Sequence, residues 1–161
     1  MSYPASAFIR AIADEVPVGS LILLDTGWAL RTFLQSPQGP VQQILMLSPG
    51  RAGNIYAAPK ANCFATSPKY GIEIRIKDPM KVKEDAAPTS PLSLVVGQFA
   101  SELWGHIAGA PLHRYGFKVD GSPSDVEEEH NNRPFIHFTS FEIWLSKAGQ
   151  LVGSDPIVAV A

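Results

Sequence analysis

The sequence predicts an α+β fold: a curved antiparallel sheet or partial β-barrel, with two helices at about 5–16 and 91–108 packed on it. Three observations predict it. Ile72, Ile74 and Ile76 alternate with Glu73, Arg75 and Lys77, the two-residue period of a sheet with one buried and one wet face. Two stretches beside prolines carry apolar residues at helical spacing. The rest of the chain is short apolar runs separated by turn residues.

In the first helical stretch, Phe8, Ile9, Ile12 and Val16 make one stripe, which Pro17 ends. Residues 21–24 and 28–34 read as strands. Asp25-Thr26-Gly27 between them is turn chemistry, as is "SPQGP" at 36–40. Residues 41–47 make a third strand, and 55–58 and 63–66 two weaker ones around Pro59. Residues 71–77 follow, then a connection over 78–91 with a short strand at 80–83. The second helix has Ser90 as cap and Pro91 at its first position. Its stripe is Leu92, Val95, Val96, Phe99, Leu103 and Ile107. A strand at 112–119 leads into a loop over 120–134, expected to be mobile. One long strand over 135–146 pairs with 150–153 across a turn at Gly149, and 157–160 closes the chain.

At 161 residues, without repeats or a linker, the chain reads as one domain over 1–161. Charged residues are 17% of it, against roughly 25% in an average soluble protein. Fourteen prolines and thirteen glycines fill part of that deficit and favour turns. So little charge suggests a surface covered by partners. The net charge of −2 offers no basic excess for phosphates, so neither nucleic acid nor an anionic membrane is an expected partner. Cys63 is the only cysteine, which fits a reducing compartment. The first sixteen residues carry Asp14 and Glu15 where a signal peptide is apolar, and no apolar run approaches about 20 residues. A soluble cytoplasmic protein follows, or one within a particle assembled there.

Asp25-Thr26-Gly27 resembles the tripeptide that carries the catalytic carboxylate of aspartic proteases. Those sites need two such carboxylates, and Trp28 stands where the family has a small residue. The tripeptide therefore reads as a hairpin turn. His137 and Thr139 in "FIHFTSF" resemble half of the paired motif of two-histidine phosphoesterases, whose chemistry needs a second such histidine. His106, His113 and His130 lie in other contexts, so His137 reads as a core residue that can line a pocket. Cys63 can act as a nucleophile only if the fold brings a histidine to it; otherwise it is core. Neither histidine pair spaced by seven has a zinc spacing, the acidic run 127–129 does not match a calcium loop, and no glycine-rich phosphate loop occurs. No metal or cofactor is expected.

Two functions follow. The first is a non-enzymatic assembly or binding domain, of the phage or secretion structural, accessory or immunity-like kind. It binds protein partners or itself through Phe138, Trp144 and Trp28, with both faces of the strand at 135–146 covered. The second is a small hydrolase or lyase using His137 with Thr139 or Cys63 in a cleft between sheet and helix.

Overall fold

A computed structural model describes residues 3–84, 92–96, 101–124 and 136–160. Among them the chain forms fifteen strands and no α-helix, so the α+β class is corrected to a fold that is nearly all β. No helix there is long and apolar enough to cross a membrane.

The first expected helix is a strand between two 3-10 turns. Ala5–Ala7 and Ala13–Glu15 are the turns, and β1, Phe8–Ile12, lies between them. β1 pairs antiparallel with β6, Asn62–Thr66, from Phe8↔Thr66 to Ile12↔Asn62. Phe8 packs on one core and Ala11 on another, so both faces of β1 have apolar work. That hides the two-residue period and leaves a spacing that imitates 3.6. A helix of about twelve residues is marginal in isolation, so strand pairing decides the outcome.

The second expected helix is also extended where it is described. β9, Ser93–Val96, and β10, Ser101–Ile107, pair antiparallel with Leu103 opposite Leu94. Leu92, Leu94, Leu103 and Trp104 are all buried. Gly105 shows why this stretch serves a sheet. A Cβ there would stand 2.3 Å from the Gly53 carbonyl oxygen. The same oxygen accepts the His106 N–H at 2.7 Å. This close approach seats β10 parallel to β5, Asn54–Ala57, at His106↔Asn54 and Ile107↔Ile55. The expected cap, Ser90 and Pro91, lies outside the described residues.

The predicted hairpins form. β2, Leu21–Leu24, meets β3, Gly27–Ser36, with Asp25 and Thr26 as its exposed turn. β3 pairs with β4, Gly39–Met46, along its length, and β4 with β5. β7, Tyr70–Ile76, pairs with β13, Phe141–Lys147, from Phe141↔Ile76 to Lys147↔Tyr70. β13 turns into β14, Gln150–Val152, through Ala148 and Gly149, both at positive φ (51° and 76°), the geometry of a tight hairpin. Also present are β8, Val82–Glu84; β11, Ala110–Lys118; β12, Ile136–Phe138; and β15, Val158–Val160.

The strand expected over 135–146 is thus two strands in different sheets, parted at Thr139 and Ser140. Of the loop expected over 120–134, residues 125–134 lie outside the described residues.

The strands make two sheets. An eleven-stranded sheet runs β1-β6-β2-β3-β4-β5-β10-β9-β12-β8, with β11 on β10. A four-stranded sheet has β13 at its centre, β7 on one side, and β14 and β15 beside it. Leu21, Leu30, Leu45 and Ile55 of the long sheet share the main core with Phe141, Ile143 and Leu145 of the small one. The opposite face of the long sheet holds a second core of Ile22, Ala29, Ile44, Met46, Cys63 and Ala65, roofed by Ala13 and Val16.

Candidate functional site

A cleft of about 700 Å³ opens where four segments meet. β1 gives Ile9 and Ala11, and the link from β1 to β2 gives Glu15 to Ser20. The corner from β6 to β7 gives Thr66 to Pro68 and Tyr70 to Ile72, and Val119 with Asp120 complete the wall. Ile9 (49% exposed) and Val119 (39%) present aliphatic surface to solvent, unlike the sealed cores. The charged side chains of the lining are both carboxylates, Glu15 and Asp120.

Arg31 fixes one wall. It sits on β3 in an otherwise apolar run and is 2% exposed. Its Nε donates to the Ala13 carbonyl (2.9 Å), and Nη2 to the Asp14 carbonyl (3.1 Å) and Gln42 Oε1 (2.6 Å). Nη1 donates to the carbonyls of Thr32 (2.6 Å) and Gln43 (3.3 Å). The turn Ala13–Glu15 is thereby tied to the sheet. Burial pulls the Arg31 pKa down, and the nearby Asp14 charge offsets part of that. No acceptor is a carboxylate oxygen, and Asp14 Oδ1 is buried without a hydrogen-bond partner.

The other wall rests on two glycines. The Gly19 N–H donates to the Arg31 carbonyl at 2.8 Å. A Cβ on Gly19 would stand 2.4 Å from the Asp120 oxygen, and one on Gly121 would stand 2.4 Å from the Arg31 oxygen. Both glycines have positive φ (+92° and +82°), which L side chains rarely adopt. The backbones of the 17–20 link and the 119–121 loop can therefore touch. Asp120 Oδ1 accepts from the Ser122 N–H (2.9 Å) and Ser122 Oγ (2.5 Å). These bonds hold the Asp120 carboxyl below its ordinary pKa, so the rim is anionic at neutral pH.

The residues singled out in the sequence lie elsewhere. Cys63 is 6% exposed in the second core, and burial pushes its thiol pKa up, away from a nucleophile's. His137 is on β12, opposite Lys83 of β8. Its side chain lies outside the described residues. Strands β2, β3, β4, β5, β10 and β9 separate it from the strand of Cys63. The Thr139 hydroxyl donates to the Lys81 carbonyl at 3.3 Å. Trp28 packs on Phe8 with ring centroids 5.7 Å apart. Phe138 packs on the main core, and Trp144 lies half-buried on the outer face of the small sheet, donating to Glu142 Oε2 at 2.9 Å. Trp28 and Phe138 are thus both partly buried against the main core, and Trp144 lies on the small sheet. Among the described residues no group of three His, Cys, Asp or Glu side chains is placed to hold a metal.

Sequence reasoning missed the cleft. One signal for it was present: a lone arginine in the middle of "GWALRTFL" must find several acceptors if that strand is buried. No protein-family model, no curated protein and no solved structure matches this chain.

Proposed function

We propose that this chain is a non-enzymatic binding domain, a subunit of a larger protein assembly, whose cleft takes an extended apolar segment of a partner protein that carries a cationic residue. The carrying observation is the cleft's chemistry. Half-exposed aliphatic side chains converge in a concavity held open by Arg31 and the Gly19–Gly121 contact, and its charged groups are both anionic. Apolar burial supplies affinity for such a segment, and the Asp120 and Glu15 carboxylates select its charge.

Selection of a displayed random-peptide library against the purified protein tests this. The expected winners are apolar peptides with Lys or Arg, and Ile9→Asp with Val119→Asp weakens them at least about tenfold. Winners without cationic residues, or winners indifferent to the two substitutions, would overturn the reading.

A further inference from the structure

We propose that β7 is a self-pairing edge, through which two copies of this chain join their small sheets into one continuous antiparallel sheet. The edge borders the cleft at Tyr70 to Ile72, but Glu73 and Arg75 lie outside the cleft lining and Ile9 and Val119 lie off the edge, so substitutions at the two pairs test the two readings separately.

The backbone states which groups are available. The Lys77 N–H donates to the Ser140 carbonyl, so the odd-numbered residues of β7 turn their N–H and C=O toward β13. The even-numbered residues turn theirs outward. Among the described residues nothing pairs with Ile72, Ile74 or Ile76 on that side. Of the usual defences of an edge the strand has only outward-facing charges, Glu73 and Arg75; it has no proline, no bulge and no inward-pointing charge. Ile76, on the same face as Ile72 and Ile74, is 38% exposed.

Charge chooses the occupant and its register. A two-fold axis between two antiparallel β7 strands can pass through Glu73, Ile74 or Arg75. Through Glu73 it sets Glu73 against its own copy, and through Arg75 it sets two guanidinium groups together; like charges directly opposite are unfavourable. Through Ile74 it places Glu73 opposite Arg75 of the second copy, twice, on the wet face. On the core face the same register places Ile72 opposite Ile76 of the second copy, also twice. Glu73 and Arg75 already form an ion pair along the strand at 3.0 Å, with side chains 36% and 54% exposed, so both are accessible for exchange. The strand "YGIEIRI" is thus complementary to itself in one register.

Light scattering and amide exchange of the full chain test this together, over about 1 µM to 1 mM protein, because association follows mass action. The mass is expected to rise with concentration toward twice 17.4 kDa. The amides of Ile72, Ile74 and Ile76 should gain protection over the same range. Glu73→Arg alone and Arg75→Glu alone should each weaken dimerisation at least about tenfold, and the double exchange should restore it. Circular dichroism checks that each variant folds. A monomer at every concentration overturns the proposal. So does protection that does not change with concentration, which would mean that the same chain covers this edge. A dimer that no charge reversal weakens also overturns it.

Discussion

Burying a guanidinium with no carboxylate oxygen as an acceptor is costly, and Arg31 offsets that cost with five neutral acceptors. Arg31→Met keeps the bulk and orphans the carbonyls of Ala13 and Asp14. We expect a loss of about 2–4 kcal/mol in urea unfolding, with no rescue by Arg31→Lys, whose ammonium lacks the planar fork. Its neighbour predicts the opposite sign. Thr32 is fully buried, and its Oγ1 has no hydrogen-bond partner. Thr32→Val removes that hydroxyl at constant shape and should be neutral or stabilise by about 1 kcal/mol. Asp120 adds a pH dependence. Its folded pKa is lowered, so its contribution is present above the unfolded value near 3.8 and is lost as pH falls through the folded value. Ser122→Ala should raise the Asp120 pKa in an NMR titration and lower stability at neutral pH. Below both pKa values it should have no effect through this carboxylate. The exposure of Asp120 keeps the effect small.

At the scale of elements, the hairpins were legible because their signals are local. Asp25-Thr26-Gly27 and Gly149 carry turn chemistry in the residues themselves, and the isoleucines of β7 alternate because only one face of that strand is buried. The two expected helices failed for the complementary reason. β1 meets apolar neighbours on both faces, and in β10 the adjacent Leu103 and Trp104 are both buried, so little alternation survives to be read. Gly105 falls within the second expected helix, where a glycine costs stability against alanine, but the structure uses it for a close approach by the start of β5, through Gly53. Gly105→Ala should therefore cost about 2–3 kcal/mol despite alanine's greater helix propensity, measured by the denaturation midpoint. A helix in its place would gain stability from the same change.

Across the whole molecule, the long sheet is covered on both faces where β2, β3 and β4 lie. One face shares the main core with the small sheet, and the other has its own roof from Ala13 and Val16. Cys63 belongs to that second core. Its thiol should react with a disulfide reagent only as fast as the second core opens, and urea should accelerate the reaction in step with unfolding. Fast reaction in native buffer would show that the roof is loose. The sites proposed from sequence motifs needed the whole fold to be judged. Cys63, His137 and Thr139 lie on distant strands or on spent hydrogen bonds, and residues of no motif, such as Ile9, Gly19 and Val119, make the cleft.

The sequence by itself determined the turns, the half-wet strand β7 and the low surface charge, because these depend on neighbours a few residues apart. Only the tertiary structure decided that the two apolar stripes are strands, that Arg31 is buried, and where a cleft opens. Those outcomes depend on which distant strand lies against each face, and hydrogen-bond pairing over long separations outweighs local spacing.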